Sequence, residues 1–278
     1  MIFIVNPISG KGRKKRIVSF LKSEGCNVVF TEYAGHAEVI AREADEKVIV
    51  AVGGDGTVNE VARGILGTDK ILGIIPCGSG DGLALHLGIS RRFRKAYRTI
   101  FRGKETSIDT CQINGRPFFS VCGVGFDATV SERFALSGKR GLMNYIKQGL
   151  KTWAGYTPEK YRINLDGIES EHEAALITVG NANQWGNGAK ITPLADISDG
   201  MLDITIVNMF KWIQMPLLGL RLMSGTLDKS PKVHCYRGQH ITISRQFEGP
   251  AHADGDWFTA GTNIDIRIHP KSLKVIIP

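Results

Sequence analysis

Four short apolar runs, separated by helical patterns, constrain the fold of the first third of this sequence. The runs read IFIV, NVVF, KVIVAV and ILGII, and segments such as RKKRIVSFLKSEG and HAEVIAREADE lie between them. Strands that are apolar along nearly their whole length and alternate with helices are typical of a parallel sheet covered on both faces. We therefore predict a three-layer α/β domain, with its ligand at the carboxyl ends of the strands.

The pattern changes after about Ile108. YRINLDG and NIDIRIHP alternate apolar and polar residues, and Asn114-Gly115 and Asp166-Gly167 stand where hairpin turns are expected. This part predicts an antiparallel β-sandwich, interrupted by two helical insertions, GLMNYIKQGLKTW and MFKWIQMPLLGLRLM. The predicted domains are residues 1–107 and 108–269.

Composition narrows the classes of function. A net charge of +8 and a pI of about 9.3 favour an anionic partner. Nucleic acid is not indicated, because the sequence has no RNP-like aromatic strand, zinc finger or basic zipper. The five cysteines are scattered, so neither a disulfide framework nor a zinc site is expected. No signal peptide and no run long enough to span a bilayer is apparent, which predicts a soluble or peripheral protein.

The first glycine-rich loop, NPISGKG, follows the first apolar run and precedes a basic helical pattern. Backbone amides in such a turn form an anion site, to which Ser9, Gly10 and Lys11 would contribute. The loop is not a Walker A motif, because Gly12 stands where that motif needs Ser or Thr. An ordinary turn between a strand and a helix remains the alternative.

The second loop, GGDGTVNE, follows the third run. Gly53 and Gly54 allow a close approach of the backbone to a ligand, Asp55 presents a carboxylate, and Thr57 can cap the next helix. An acid beside a phosphate site requires a cation between them, which indicates Mg²⁺. The alternative is an aspartate that only caps a helix.

A third loop, PCGSGDG, follows the fourth run, so three glycine-rich loops are expected to meet at one edge of the sheet. GVGFDA, from Gly123 to Ala128, fits the dinucleotide fingerprint G-x-G-x-x-A. It lies in the β-rich half and lacks the companion acid about 20 residues further on, so a Rossmann site is not expected there.

These segments, together with KITPLADISDGMLDI and HADGDWF, resemble in this order the motifs of the diacylglycerol kinase catalytic-domain family, which includes sphingosine, ceramide and bacterial lipid kinases. The resemblance implies an ATP- and Mg²⁺-dependent lipid kinase of phospholipid or sphingolipid metabolism. It also implies an α/β nucleotide-binding domain like that of NAD kinase and diacylglycerol kinase, a C-terminal β-sandwich, and the return of residues 270–278 to the first domain.

Residue by residue, the resemblance and the loops predict the site. Asp256, in ADGDWF, is the expected base for the lipid hydroxyl, and Asp55 is expected to act with Mg²⁺ and the phosphates. Asp196, Asp199 and the Met201 carbonyl match a structural Mg²⁺ site of some bacterial members. The expected ATP contacts are Asn6, Ser9, Gly10, Lys11, Thr31, Gly53, Gly54, Asp55, Gly56, Thr57, Asn59, Glu60, Gly78 and Ser79.

The sequence departs from the family pattern in two places, of which the first bears on the base and the second on the acceptor. Asp256 stands where the family usually has Glu, which shortens the reach of the base by one methylene. Residues 78–84 read GSGDGLA where G-T-x-N-D-x-A is common, and sphingosine kinases are similar in this respect. The alternatives are an NAD kinase-like enzyme with a soluble acceptor, and a catalytically silent nucleotide- or lipid-binding protein.

A lipid acceptor implies contact with an anionic membrane surface, so a cytoplasmic, peripherally membrane-associated protein is expected. The basic segment from Ser90 to Lys104 and the apolar segment from Met209 to Met223 are the candidate docking segments. The alternatives are a solvated helix face for the first and a buried core helix for the second. A homodimer also stays open.

Overall fold

The computed structural model describes residues 1–9, 14–138 and 142–278. The chain divides into two compact units, one formed by Met1–Asp109 with Pro270–Pro278 and the other by Thr110–His269. β5 (Lys104–Ile113) and β16 (Asn263–Ile277) contribute residues to both. Each unit is described separately below.

The first unit alternates strands and helices. Its strands are β1 (Ile2–Val5), β2 (Asn27–Phe30), β3 (Val48–Gly53) and β4 (Ile71–Pro76). Its helices are α1 (Lys14–Ser23), α2 (His36–Glu43), α3 (Asp55–Ile65), α4 (Gly82–His86) and α5 (Phe93–Arg102). The four apolar runs thus form strands at the places that the sequence predicts.

These strands form a parallel sheet in the order β2-β1-β3-β4. The end of β16 adds a further parallel strand beside β4, where Lys274 and Val275 pair with Ile71 and Leu72. Every residue of β1 and β4 is buried, as a sheet covered by helices requires. The parallel order brings the carboxyl ends of β1, β3 and β4 to the same edge, from which the three glycine-rich loops leave.

The second unit contains two antiparallel sheets. The strands are β6 (Arg116–Phe118), β7 (Val121–Gly125), β8 (Glu159–Leu165), β9 (Ile168–Ala174), β10 (Leu176–Gly180), β11 (Leu202–Val207), β12 (Val233–Gly238), β13 (His240–Arg245), β14 (Gly249–Ala253) and β15 (Asp256–Ala260). One sheet, here called the helix-covered sheet, has the order β12-β11-β10-β7-β14-β15; the other continues from β16 through β13 and β8 to β9. The predicted combination of an α/β domain and an antiparallel β-sandwich is confirmed.

Alternate side chains of the helix-covered sheet enter two different cores. Ile177 and its cross-strand partner Ile206 point into the core between the two sheets. Leu176 and Val207, one position away in the pleat, belong to a second cluster on the outer face. Three helices accompany this unit: α6 (Phe126–Leu136), α7 (Leu142–Trp153) and α8 (Met215–Ser224), the last preceded by a 3₁₀ turn at Trp212–Gln214.

Both predicted helical insertions are present as α7 and α8, whereas α6 was not predicted. It begins within GVGFDA, directly after β7, which pairs antiparallel with both β10 and β14. A strand with two antiparallel neighbours cannot form the parallel βαβ unit of a Rossmann site. No helix within the described ranges is long and apolar enough to cross a membrane.

Candidate functional site

Asn6 connects the first two loops of the α/β unit. Its Nδ2 donates a hydrogen bond to Thr57 Oγ1 at 3.1 Å, and its Oδ1 accepts one from the backbone N–H of Ile8 at 2.9 Å. Its own N–H donates to the carbonyl of Val52 at the end of β3. Ser9 closes the described part of this loop, and Gly10 and Lys11 lie outside the described residues.

Glycines allow the second and third loops to approach each other backbone to backbone. A Cβ on Gly78 would lie 2.7 Å from the Cα of Gly54, and a Cβ on Gly54 would lie 3.1 Å from the Cα of Gly78. A Cβ on Gly53 would overlap the Thr57 side chain. Any other residue at position 54 or 78 would therefore separate the loops, and one at position 53 would displace Thr57.

Asp55 joins the same two loops through its carboxylate. Oδ1 accepts the N–H of Gly82 at 2.6 Å, and Oδ2 accepts the N–H of Asp81 at 2.8 Å. Burial raises the pKa of Asp55, although these hydrogen bonds act in the opposite direction. The predicted catalytic acid therefore also holds the loops together, with its remaining lone pairs available to a ligand.

The third loop is held by a second acid that stands where the family usually has Asn. Asp81 is buried and adopts a left-handed backbone conformation with φ 50°, and its Oδ1 accepts the N–H of Gly78 at 2.8 Å. Its Oδ2 faces Arg91 Nε at 3.2 Å. Burial, and then the nearby Asp55, raise the pKa of Asp81. This pairing of Asp81 with Arg91 was not predicted from the sequence.

Arg91 also donates hydrogen bonds to the backbone of the third loop. Its Nη2 donates to the carbonyl of Ser79 at 3.0 Å and to that of Gly80. One half-exposed guanidinium thus satisfies two carbonyls and one carboxylate of the loop. Arg91 lies in the basic segment predicted for membrane docking, so at least this cation is engaged with the predicted nucleotide loop.

The other predicted nucleotide contacts differ in their surroundings. Glu60 accepts the N–H groups of Gly35 at 2.9 Å and Ala37 at 3.1 Å, so both of its oxygens stabilise the start of α2. Thr31 and Asn59 are buried, and the Thr31 N–H donates to the carbonyl of Val5. Gly56 is exposed in the first turn of α3, where backbone N–H groups are available to an anion.

The predicted base, Asp256, lies in the β-sandwich unit, at the start of β15. It follows the two-residue turn Asp254-Gly255, which joins β14 to β15. Both turn residues have positive φ, 51° and 87°, as in a type I′ hairpin turn. Asp256 is exposed and pairs across the hairpin with Ala253.

Asp254 fixes this turn to the chain before β7. Its carboxylate accepts the N–H groups of Phe119 at 2.8 Å, Ser120 at 2.8 Å and Val121 at 3.0 Å. Burial raises the pKa of Asp254 to about 6, against the effect of the three donors. The position of Asp256 is therefore set by its neighbour in the turn.

A buried histidine supports the turn from the other side. The N–H of Gly255 donates to His252 Nδ1 at 3.3 Å, which assigns the proton to Nε2. Nε2 then donates to Asp127 Oδ2 at 3.2 Å, and Thr178 Oγ1 donates to the same oxygen at 2.8 Å. The sequence marked Asp127 only as part of GVGFDA, and nothing in the spacing indicates that it meets a residue 125 positions away.

The loop from Asp196 to Met201, which is predicted to hold a structural Mg²⁺, has carboxylates that are bonded to other groups of the chain. Asp196 Oδ1 accepts the N–H and the hydroxyl of Ser198, and Asp199 Oδ1 accepts the N–H of Met201. The other oxygen of Asp199 is paired with the guanidinium of Arg237. Arg237 is thus the cation that faces Asp199, and the Mg²⁺ site at Asp196, Asp199 and Met201 stays a prediction.

Within residues 1–9, 14–138 and 142–278, no group of three or more His, Cys, Asp or Glu side chains is arranged to hold a metal. A nucleotide-bound Mg²⁺ usually needs only one or two carboxylates besides phosphate oxygens and water. Asp55, with lone pairs that accept no hydrogen bond from the two loop amides, is of the chemical type that could supply one.

Comparisons with known proteins agree with this arrangement. The model of the diacylglycerol kinase catalytic domain matches residues 1–113, and that of the YegS C-terminal NAD kinase beta sandwich-like domain matches residues 120–277. A diacylglycerol kinase of Mycobacterium tuberculosis is 30% identical over 295 aligned residues, covering 99% of this chain and 94% of that protein.

Solved structures show the same fold. A diacylglycerol kinase from Bacillus anthracis superposes with a TM-score of 0.77 at 20% identity, covering 100% of this chain and 96% of that one. An NAD kinase from Archaeoglobus fulgidus, in complex with ATP, gives 0.58 at 12% identity, covering 99% and 92%. From the two matched domains and the relative along its whole length, this chain belongs to the diacylglycerol kinase family of lipid kinases.

Proposed function

We propose that this protein transfers the γ-phosphoryl group of ATP to the hydroxyl of a membrane lipid in a Mg²⁺-dependent reaction. The observation that carries the proposal is the joining of three glycine-rich loops at the carboxyl edge of a parallel sheet by Asn6 and Asp55. Loops at this edge form ligand sites in open α/β sheets, and their backbone N–H groups suit phosphates.

The residues of the first unit bind and orient the nucleotide in this proposal. The N–H groups of the first turn of α3, together with the loop glycines, receive the phosphates, and Asn6 and Thr57 hold the loop in shape. Asp55 would use its remaining lone pairs to hold a nucleotide-bound Mg²⁺, which would supply charge neutralisation on the phosphates.

Asp256 receives the proton in the transfer step. As the acceptor oxygen forms its bond to the γ-phosphorus, the bond from that phosphorus to the bridging oxygen breaks and ADP leaves with the electron pair. The hydroxyl proton passes to the Asp256 carboxylate, which is exposed at the start of β15 and so accessible to a substrate. The hairpin anchored by Asp254 limits the directions in which this short side chain can reach.

Diacylglycerol is the first acceptor to test, and a sphingoid base or ceramide is the second. The name of the Mycobacterium tuberculosis relative supports the former. The GSGDGLA sequence of the third loop supports the latter. In this loop Asp81 accepts the N–H of Gly78 and pairs with Arg91. The acid at position 81 therefore shapes the third loop, which is a different role from that of an acid moved by one position from the family's usual site.

The test is transfer of label from Mg·ATP to mixed micelles that contain diacylglycerol, sphingosine or ceramide, with NAD as a soluble acceptor. Label in a lipid that is lost with Asp256→Asn and on chelation of Mg²⁺ is the expected result. Glu248→Gln, at an exposed acid close to the same hairpin, is the matched control and should retain transfer.

Three outcomes would contradict the proposal in different ways. Label in NAD would establish the NAD kinase-like alternative. ATP binding without transfer to any acceptor, in the wild type and in Asp256→Glu alike, would support a silent binder. Full transfer by Asp256→Asn would remove that residue from the role of base, even if the lipid acceptor were correct.

A further inference from the structure

A fourth loop leaves the carboxyl edge of the parallel sheet and is tied to the second glycine-rich loop. It comprises residues 31–35, between β2 and α2, and is here called the β2–α2 loop. Because β2 pairs with β1, this loop starts beside the loop that carries Asn6. Glu60, in the helix that follows the second loop, accepts the N–H groups of Gly35 and Ala37. The β2–α2 loop is therefore held in place from α3.

Tyr33, in this loop, stacks on His36 and leaves its other face open. The two rings are almost parallel, with centroids 4.5 Å apart and planes that differ by 4°. His36 is held in turn, because its Nδ1 accepts the N–H of Glu32 at 3.1 Å and its N–H donates to the carbonyl of Tyr33 at 3.3 Å. Tyr33 nevertheless remains 60% exposed. The pair is thus a supported aromatic surface that faces solvent.

The four loops at this edge differ in what they offer a ligand. Residues 6–13, 53–57 and 77–82 contain six, three and three glycine or hydroxyl residues or more between them but no Phe, Tyr or Trp, so their backbone N–H groups suit phosphates. In residues 31–35, Tyr33 is the aromatic residue. Stacking on an aromatic side chain strengthens the binding of a nucleic acid base roughly tenfold. Among these loops, Tyr33 alone offers that kind of contact.

The order of the strands gives a nucleotide a direction along this edge. The proposed function places its phosphates at the loops after β1, β3 and β4, and on the β4 side the third loop is occupied by the pairing of Asp81 with Arg91. β2 ends the strand order on the other side, two strand spacings, or about 10 Å, from β3. The ribose and base of a nucleotide can span that distance. A nucleotide that extends from the phosphate loops towards β2 would bring its base to Tyr33.

We propose that the open face of Tyr33 stacks on the base of the phosphate donor and makes this chain selective for purine nucleotides. The inference rests on the proposed function, because the positions of the phosphates come from it. Stacking uses the flat face that every base has, so adenine and guanine should bind similarly. The smaller ring of cytosine covers less of the tyrosine ring and should bind more weakly.

The test is equilibrium dialysis with Mg·ADP, Mg·GDP, Mg·CDP and Mg·tripolyphosphate, without an acceptor, so that binding is measured apart from catalysis. Tripolyphosphate has phosphate groups but no base. Tyr33→Ala should weaken binding of ADP and GDP about tenfold and leave binding of tripolyphosphate unchanged. Tyr33→Phe keeps the ring and should bind all four as the wild type does. The wild type should prefer ADP to CDP, and Tyr33→Ala should lose that preference.

Phe101→Ala is the matched control, because Phe101 is another exposed aromatic residue of the same unit, on α5, with 56% of its surface exposed. It should bind ADP as the wild type does. Equal weakening of ADP and tripolyphosphate in Tyr33→Ala would assign the ring to support of the loop and overturn the proposal. Unchanged binding of ADP by Tyr33→Ala, or equal binding of ADP and CDP by the wild type, would also overturn it.

Turnover separates this proposal from the proposed function. If both are correct, Tyr33→Ala should raise the KM for ATP about tenfold and leave kcat at saturating ATP unchanged, because the base contact is the same in the ground state and the transition state. If only the stacking is wrong, Tyr33→Ala and the wild type phosphorylate lipid with the same KM for ATP. If only the lipid kinase assignment is wrong, binding of ADP falls in Tyr33→Ala while the wild type labels no lipid.

Discussion

Asp254 anchors the turn that presents the proposed base, and its removal is expected to destabilise the β-sandwich unit measurably. Its carboxylate accepts three backbone N–H groups, those of residues 119, 120 and 121. A hydrogen bond to a charged group contributes about 1.5–3 kcal/mol, and a donor left unsatisfied costs about 1–3 kcal/mol. Because the three donors are adjacent and share one acceptor, their contributions do not add fully. We expect loss of the carboxylate to lower the free energy of unfolding by about 3–5 kcal/mol in total.

Three substitutions separate the hydrogen bonds from the backbone conformation. Asp254→Gly removes the acceptor but tolerates the positive φ of this position. Asp254→Ala removes the acceptor and adds about 1 kcal/mol for the left-handed conformation. Asp254→Asn keeps one oxygen for two of the donors, while its amide faces the third, so it should cost only about 1–3 kcal/mol. The expected order of stability is wild type, Asn, Gly and then Ala.

Tryptophan fluorescence during urea unfolding measures this unit alone, because all four tryptophans, Trp153, Trp185, Trp212 and Trp257, lie within Thr110–His269. Measurements above pH 7 keep Asp254 ionised. With a denaturant slope of about 2 kcal/mol per molar, Asp254→Ala should lower the midpoint by about 2 M. A loss below about 1 kcal/mol for Asp254→Ala, or an Asn variant as unstable as the Gly variant, would refute the anchoring role.

Three further results are expected. Gly80→Ala should weaken Mg·ADP binding, measured by equilibrium dialysis, at least tenfold, because a Cβ at this position would lie 2.6 Å from Asp55 Oδ2. Unchanged binding would count against the role of Asp55 in joining the second and third loops. Because Arg237 pairs with Asp199 and Asp203, chelation or addition of Mg²⁺ should leave the unfolding midpoint of the wild-type sandwich unit unchanged. Arg237→Ala should lower the free energy of unfolding by about 1 kcal/mol. A midpoint that Mg²⁺ raises would support the predicted metal at Asp199. Because the pKa of Asp254 is raised from 3.8 to about 6, the folded state binds this proton more tightly than the unfolded chain does. Stability of the sandwich unit should therefore fall between about pH 4 and 6 as pH rises. Asp254→Asn should reduce that fall, and the remainder is expected from Asp203, whose pKa burial also raises to about 6.

Local patterns in the sequence were sufficient to predict the strands and the loops. A fully apolar run such as ILGII has few alternatives to a buried parallel strand, and β4 occupies Ile71–Pro76. Asn114-Gly115 and Asp166-Gly167 form turns in which all four residues have positive φ, because Asn, Asp and Gly tolerate that conformation best. These features depend only on neighbouring residues, which is why the pattern alone predicts them.

The contacts that hold the candidate site together depend on distant residues. Asp254 meets donors 133 to 135 positions away, and the partner of His252 is 125 positions away. No spacing rule connects such pairs. The sequence pattern also does not predict the orientation of α8, because a segment that is apolar on nearly all sides does not show which side faces solvent. The structure resolves that ambiguity by burying Leu218 and exposing Leu217 and Leu220.

Three of the four Asp-Gly pairs in the motifs, at positions 55, 81 and 254, share a feature that changes how mutants of this family member are to be interpreted. Each of these aspartates accepts backbone N–H groups and so holds its own loop or turn in shape. Asp256, two residues after Asp254, is exposed. Loss of activity in Asp55→Ala would therefore follow equally from a lost contact with Mg²⁺ and from loops that separate. Gly80→Ala disturbs the same contact without removing the carboxylate. If that variant loses nucleotide binding as fully as Asp55→Ala does, the loop geometry alone accounts for the effect, whereas a larger loss in Asp55→Ala measures what the carboxylate adds for the metal and the phosphates.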